Sequence, residues 1–177
     1  MLRRGQNRGE TRCLRETVVA KILICYYTRT KNTQHMAEAV AEGVARVEGA
    51  AADVRSVEQT KPTDLLEYDG IILGSPTYYG TMAAELKKLL DDSIAFHGGL
   101  GGKVGGAFAS SANIGGGNET TVLDLLKAML IHGMIVQGSA RGDHYGPVAI
   151  GDVDKRSSGG CRNLGRIVAE LAVTLHG

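Results

Sequence analysis

The hydrophobic positions of this chain alternate between unbroken apolar runs and stripes with helical spacing. Residues 18–27 are mostly apolar without helical spacing, which is typical of a parallel strand buried on both faces. After a polar interval, Met36, Val40, Val44 and Val47 recur at intervals of four and three, as along the buried stripe of an amphipathic helix. This part of the pattern therefore predicts a strand that leads directly into a helix.

The same alternation continues to the end of the chain. The further predicted strands are residues 52–57 at a sheet edge, 71–74, 103–109 and 134–136. The further predicted helices are a turn or short helix at residues 63–67, then 82–91, 118–132 with Asn118 as its cap, and about 161–175. Five strands alternating with helices predict an α/β fold, a doubly wound five-stranded parallel sheet within three α/β/α layers.

Residues 139–158 are predicted to form a loop of about twenty residues between the fifth strand and the closing helix. Loops of this length are uncommon in compact domains unless they serve a function. The loop could close over a bound ligand, and the sequence leaves that question open.

Three predicted loops follow strands one, three and four, and each is polar or rich in glycine. Residues 28–33 read Thr-Arg-Thr-Lys-Asn-Thr at a helix N-terminus, where free amides and hydroxyls suit a phosphate, although such residues also cap helices without any ligand. Residues 76–80 offer amides and aromatic faces, and residues 110–117 let the backbone approach a flat ligand closely. Ligands of doubly wound sheets bind at these strand ends, so the loops predict a site for flavin mononucleotide (FMN).

Composition and charge narrow the functional classes. The net charge is +1, and since residues 1–17 hold five arginines and two glutamates, or +3, the remaining chain carries −2. Without a strongly basic face, nucleic-acid binding is not expected. Three scattered cysteines predict neither a disulfide framework nor a metal site and fit the reducing cytoplasm. No apolar run is long enough to suggest a membrane span.

The arginine-rich start of the chain differs from the rest. Residues 1–17 lack the apolar segment of a signal peptide, and we expect a basic, flexible N-terminal extension there. Residues 18–177 have enough apolar residues for one core and are expected to form a single domain.

Several segments resemble one protein family in the right order. Residues 28–33 resemble the flavodoxin phosphate loop T-x-T-G-N-T, with Lys31 in place of glycine. Residues 74–84 are similar to the stretch G-[ST]-P-T-x-x-G-x-M-A of the WrbA family of NAD(P)H:quinone oxidoreductases. Residues 115–121, 132–135 and 144–146 are similar to the same family, so that the resemblance covers about residues 21–175. It implies a flavodoxin-like fold with strand order 2-1-3-4-5.

The resemblance also implies which residues bind FMN. The phosphate would lie on Thr28, Thr30, Asn32 and Thr33, with Arg29 and Lys31 in the same loop. The ribityl chain and ring would contact Pro76, Thr77, Tyr78, Tyr79, Gly80, Ser110, Ser111, Asn113, Gly115, Gly116 and Gly117. His132 matches a histidine near the flavin and would act catalytically, donating a hydrogen bond or proton to a quinone. Without the resemblance, the sequence favours a different interpretation, in which His132 is simply a residue placed favourably at a helix C-terminus.

This chain departs from the family pattern in three places. Lys31 adds charge beside the phosphate but would be strained if its φ is positive. The segment between the second and third strands lacks the insertion typical of WrbA proteins, which weakens the case for their tetramer, although a homodimer or higher homo-oligomer is still expected. Asn113 and Ile114 replace the aromatic residue that covers one flavin face in many flavodoxins.

Two functions of different kinds fit these residues. As an enzyme, the protein would pass electrons from NAD(P)H through FMN to a quinone, and the amides of residues 77–79 and 115–117 would stabilise charge on the ring. As a flavodoxin-type carrier it would dock on redox proteins, but carriers of this kind are usually strongly acidic, unlike this chain. A flavin-free signalling domain of this fold needs an aspartate after the third strand, where Gly74 and Ser75 stand instead.

Overall fold

A computed structural model describes residues 19–177, so the predicted extension at residues 1–17 lies outside the described part. The strands are β1 (Ala20–Tyr26), β2 (Ala50–Ser56), β3 (Gly70–Pro76), β4 (Val104–Ser111), β5 (Ile135–Val136) and β6 (Val148–Ile150). The α-helices are α1 (Asn32–Val44), α2 (Ala84–Asp92), α3 (Asn118–Ile131) and α4 (Lys155–His176). Short 3₁₀ helices lie at Val57–Gln59, Pro62–Glu67 and Ser93–Phe96. Among the described residues, no helix is both long and apolar enough to cross a membrane.

The sheet is parallel, and its order β2-β1-β3-β4-β5 confirms the predicted doubly wound arrangement. Alternate residues of β1 enter different cores because successive side chains of a strand point to opposite faces. Leu23 belongs to the core beneath α2 and α3, whereas Ile22 and Ile24 belong to the core beneath α1 and α4. Burial on both faces explains the unbroken apolar run and gives the three layers.

The fifth strand is divided into two pieces, whereas the sequence pattern predicts a single strand at residues 134–136. β5 pairs with the start of β4, and β6 pairs with its end, where Ala109 lies opposite Val148. The prediction of an uninterrupted loop at residues 139–158 was therefore wrong. Its apolar run Val148–Ile150 is too short to indicate a strand, and α4 begins at Lys155, capped by Asp154 through the amide of Ser157.

Helices α1 and α4 cross at two glycines on the same face of the sheet. A Cβ on Gly43 would collide with the backbone oxygen of Arg162, and one on Gly165 with that of Val40. Only glycine allows this close approach of two backbones. The contact holds α1 against the sheet, with its N-terminus at the carboxyl end of β1.

Candidate functional site

The three predicted loops meet at the carboxyl-terminal edge of the sheet. The amide of Thr77 in the β3–α2 loop donates to the carbonyl of Ser110 at 2.7 Å, and the hydroxyls of Thr33 and Ser110 lie 2.9 Å apart. The Thr120 hydroxyl donates to the Gly80 carbonyl at 2.9 Å, which ties the start of α3 to the β3–α2 loop. The structure thus brings together the loops that the sequence placed at strand ends.

The β1–α1 loop presents a row of free amide donors. Lys31 caps α1 in the left-handed conformation, with φ 70°, and the first helical hydrogen bond that follows runs from the amide of His35 to the carbonyl of Lys31. Within the described residues, the backbone amides of residues 28–34 donate no hydrogen bond. Free amides at the positive end of a helix dipole form an anion-binding site. Because the φ of Lys31 is positive, its backbone is strained, as expected for a residue with a Cβ in the left-handed region.

The β3–α2 loop is a tight turn that exposes two further donors. Tyr78 and Thr81 exchange both backbone hydrogen bonds, at 2.9 and 3.2 Å. Between them, Tyr79 has φ 49° and Gly80 has φ 81°, and neither amide has a partner in the part of the chain that the structure describes. The side chain of Tyr79 is fully exposed. This turn therefore presents amide donors and an open aromatic face together.

The two tyrosines of this loop have different surroundings. Tyr78 is half-buried and packs edge-on against Tyr27, with ring centres 6.4 Å apart. Arg29 covers the Tyr78 ring, with its guanidinium carbon 5.1 Å from the ring centre. Of the two, only Tyr79 presents a free ring. Stacking of Tyr78 on a ligand stays a prediction, and it would require Arg29 to move away from the Tyr78 ring.

The β4–α3 loop contacts the β3–α2 loop through glycine. Gly117 has φ 94°, and a Cβ at this position would lie 2.8 Å from the Cα of Gly80. The Ser111 hydroxyl donates to the Asn113 carbonyl at 2.9 Å and accepts from the Asn118 side chain at 3.2 Å, which fixes the base of the loop. Gly117, and not Asn118 as predicted, occupies the cap position of α3.

The free donors of these two loops differ in part from those predicted. The amides of Thr77, Tyr78 and Gly116 are used within the protein, the last bonding to the Asn113 carbonyl. In the described structure, the free amides of the two loops are those of Tyr79, Gly80, Met82, Ala112, Asn113, Ile114, Gly115 and Gly117. The prediction that residues 77–79 and 115–117 all supply donors is therefore corrected. Which turn amides are used depends on turn geometry, which the sequence pattern does not specify.

His132 lies away from the three loops. It follows α3, whose 14 residues run from the β4–α3 loop to the opposite edge of the sheet, a rise of about 20 Å. There His132 is 7% exposed, its Nε2 lies 2.8 Å from the Ser93 hydroxyl, and its ring centre is 5.9 Å from that of His97. Burial, together with the nearby His97, lowers the pKa of His132. At this position His132 does not reach a flavin bound at the three loops of the same chain, which corrects its predicted catalytic contact.

Two residues outside the predicted set hold the loops in place. The Ser75 hydroxyl accepts from the Ala83 amide at 2.9 Å and closes the base of the β3–α2 loop. The Thr121 hydroxyl donates to that of Thr77 at 3.1 Å and links α3 to the same loop. The run of hydroxyl residues at the start of α3 was the sequence signal that could have indicated this link.

Comparison with known proteins identifies the family. The sequence model of the NADPH-dependent FMN reductase family matches residues 20–144, and the chain belongs to this family. A protein named NAD(P)H dehydrogenase (quinone) from Rhodopseudomonas palustris (strain BisA53) is 34% identical over 200 residues, which cover 90% of this chain and 100% of that protein. A flavodoxin of Aquifex aeolicus (strain VF5) is 36% identical over 160 residues, 86% of each chain.

Solved structures agree with this assignment. The flavodoxin, WrbA-like protein from Agrobacterium tumefaciens superposes with a TM-score of 0.74 at 27% identity, over 88% of this chain and 99% of that one. A flavodoxin from the domain Archaea gives a TM-score of 0.71 at 26% identity, over 86% of this chain and 98% of that one. The flavodoxin-like, WrbA-type fold inferred from the sequence is confirmed.

The match to the quinone dehydrogenase also shows a difference in length. Its 200 aligned residues exceed the 177 of this chain, so that relative contains segments that this chain lacks. In the structure, only residues 57–69, with two short 3₁₀ helices, separate β2 from β3. This short connection agrees with the absence of an insertion at that place.

Proposed function

We propose that this protein is an FMN-dependent NAD(P)H:quinone oxidoreductase whose flavin site is the carboxyl-terminal edge of the sheet, within one domain of residues 18–177. The family and the relatives named for quinone reduction support the activity. The observation that carries the site is the row of free amides at residues 28–34, beside two loops that present further free donors. Among the described residues, no other helix start has an unbroken row of seven free amides.

The residues of this edge fit FMN. The amides of residues 28–34, the hydroxyls of Thr28 and Thr30 and the side chain of Asn32 would hold the phosphate. The amides of Tyr79, Gly80 and the β4–α3 loop would hold the polar edge of the ring. When bound, FMN supplies reversible two-electron chemistry between a nicotinamide and a quinone.

The chain itself contributes binding, orientation and electrostatic stabilisation. Amides fixed in a turn stabilise negative charge on the ring without reorganising, because the protein has already oriented them. The exposed side chains of Tyr79 and Ile114, the latter 85% exposed, provide apolar surface on both loops for a planar nicotinamide or quinone. No protein nucleophile is required.

The alternative function is that of a flavodoxin-type electron carrier. It is favoured by the 36% identity to the Aquifex flavodoxin, which matches without a large length difference. Against it stands the charge at the loops, where Arg29 and Lys31 are both exposed and cationic. An acidic docking face, which speeds the encounter of carriers with their partners, is not formed by this loop.

We also propose that the protein forms a homodimer or higher homo-oligomer and works in the cytoplasm. Exposed apolar side chains at Ile94, Leu130, Ile131 and Ile135 lie near the amino-terminal edge and would be covered by a second copy. Cys25 and Cys161 are buried free thiols, as suits a reducing compartment. Light scattering after gel filtration would measure the mass, and a monomer would contradict the first of these proposals.

The function is tested by anaerobic reduction of the reconstituted protein. FMN-loaded protein is mixed with excess NADH or NADPH, and flavin absorbance is followed before and after a benzoquinone is added. We expect rapid bleaching by at least one nucleotide and recovery with the quinone. A flavin that dithionite reduces but neither nucleotide does would contradict the enzyme and favour the carrier.

A further inference from the structure

The Arg29 side chain makes two contacts within the chain at the mouth of the site. Its Nε donates to the Tyr27 hydroxyl at 3.3 Å, and its guanidinium lies over the Tyr78 ring at 5.1 Å. Tyr27 and Tyr78 in turn pack edge-on against each other. One hydrogen bond and one cation–π contact thus place the guanidinium beside Tyr27 and Tyr78, although the side chain is exposed.

The two terminal nitrogens of Arg29 have no partner among the described residues. Among the described arginines, Arg55, Arg156, Arg162 and Arg166 each form an ion pair with a carboxylate, whereas Arg29, Arg46 and Arg141 do not. Of these three, Arg29 alone lies over an aromatic ring. A guanidinium whose Nε is occupied and whose two terminal nitrogens are free is suited to bind two oxygens of a phosphate at once. Arg29 is thus arranged for an anion that comes from outside the chain.

The FMN phosphate is not the best explanation for the anion that Arg29 would bind. Tyr27 belongs to the core beneath α2 and α3, and Tyr78 packs against that core. The free amides at residues 28–34 lead into α1, which covers the opposite face of the sheet. The backbone amide of Arg29 therefore lies in the proposed FMN phosphate loop. Its side chain points instead toward Tyr27 and Tyr78, on the side of the sheet covered by α2 and α3.

We propose that the Arg29 guanidinium, oriented by Tyr27 and Tyr78, binds a phosphate group of the nucleotide electron donor; this rests on the proposed function. Nicotinamide donors carry a pyrophosphate, and NADPH carries an additional 2′-phosphate. Binding of the 2′-phosphate would make Arg29 select NADPH over NADH. Binding of the pyrophosphate would make it serve both donors equally.

The test compares Arg29→Met, Arg29→Lys and a matched control, Arg46→Met, in the FMN-loaded protein. Arg46 is also exposed, forms no ion pair in the described structure and follows the end of α1, away from the three loops. Calorimetric titration with adenosine 2′,5′-bisphosphate and with ADP measures phosphate binding without any turnover. In Arg29→Met we expect affinity for at least one of them to fall by about tenfold or more, the loss of a charge-assisted bidentate contact. Arg29→Lys should recover only part of it, and Arg46→Met should match the wild type.

Anaerobic flavin reduction by each donor then identifies the phosphate. A larger loss with NADPH than with NADH assigns the 2′-phosphate, and equal losses assign the pyrophosphate. Unchanged binding of both probes in Arg29→Met would overturn the inference, as would an FMN affinity that falls more than the affinity for either probe. If neither nucleotide reduces the wild-type flavin, the proposed function itself fails, which is a different result from unchanged probe binding.

Discussion

The two edges of the sheet differ in how completely their backbones are satisfied. At the carboxyl-terminal edge, the amides of residues 28–34 are free, and Lys31 and Tyr79 are held in the left-handed conformation. At the amino-terminal edge, the Gly102 amide donates to the Gly133 carbonyl at 3.0 Å, and the Ser93 hydroxyl lies 2.8 Å from His132 Nε2. One edge presents an unbroken row of free amides, whereas at the other edge several loop amides are used, although His132 Nδ1 is buried there without a partner among the described residues.

We infer from this difference that the carboxyl-terminal edge serves ligand binding and that the amino-terminal edge serves the stability of the fold. A non-glycine residue in the left-handed region costs about 1–2 kcal/mol, so the carboxyl-terminal edge is held in place by the rest of the fold. Strain of this kind is often found where a ligand binds. At the amino-terminal edge, Leu100 is 1% exposed and packs in the core beneath α2 and α3. Substitutions should therefore alter FMN binding at one edge and stability at the other.

The largest expected effect is that of Gly117→Ala. The added Cβ would lie 2.8 Å from the Cα of Gly80 and push two loops of the site apart. We expect FMN affinity to fall on the order of a hundredfold, since overpacking between the two loops costs about 1–3 kcal/mol. Fluorescence titration measures the affinity.

Gly142→Ala is the matched control for this substitution. Gly142 also has a positive φ, 73°, but its Cβ would meet no atom within 4 Å. It should show the backbone strain as a lower unfolding temperature while FMN affinity stays that of the wild type. Equal affinity losses in both variants would remove the distinction between the loops and the rest of the surface.

A smaller effect is expected when Thr30→Ala and Asn32→Ala are combined. Neither side chain has a hydrogen-bond partner in the described structure, and both lie at the row of free amides. FMN affinity should weaken by more than about tenfold through lost hydrogen bonds to a charged phosphate. Thr63→Ala with Thr174→Ala, at exposed sites outside the loops, serves as the control. Unchanged affinity in the first pair would contradict the phosphate-loop assignment.

Lys31 allows charge and backbone strain to be separated at the same position. Lys31→Asn removes the charge but still tolerates a positive φ, so FMN affinity should fall by about two- to fivefold, as for an exposed ion pair. Lys31→Gly should lose the same affinity while relieving the strain, and Lys31→Arg should keep the affinity. Titration with FMN and chemical unfolding of the FMN-free protein measure the two quantities. An affinity that follows the strain instead of the charge would refute this explanation.

The smallest expected effect on FMN is that of His132→Gln. Because burial lowers the pKa of His132, the unfolded chain binds the proton more readily than the folded one. The wild type should therefore lose unfolding free energy as pH falls below the ordinary histidine pKa, and the variant should lose less. Urea unfolding at several pH values measures this dependence. A large loss of quinone reduction without a change in stability would instead restore a catalytic role for His132.

The buried strands were the most predictable part of the fold. β1, β3 and β4 are continuous apolar runs because both their faces are covered, and their predicted ends differ from the structure by only a few residues. β6 was not predictable, because three residues become a strand only through pairing with β4. The local sequence does not indicate the pairing of β6 with β4.

The candidate site was predictable to the level of its loops. Strand ends, threonines and glycines identified three segments that the structure brings together, since parallel strands end at the same edge. The placement of His132 could have been corrected from the sequence, because a helix that follows β4 runs away from that edge. The used and unused amides, and the turn of Arg29 onto Tyr78, depend on side-chain packing that only the structure shows.

The contrast between the two edges is tested most directly by comparing FMN with riboflavin, which has the same ring and no phosphate. Fluorescence titration of the flavin-free protein measures both affinities. If the free amides of residues 28–34 bind the phosphate, FMN should bind at least about a hundredfold more tightly than riboflavin, as expected for several charge-assisted hydrogen bonds. Equal affinities would show that the open edge is not a phosphate site.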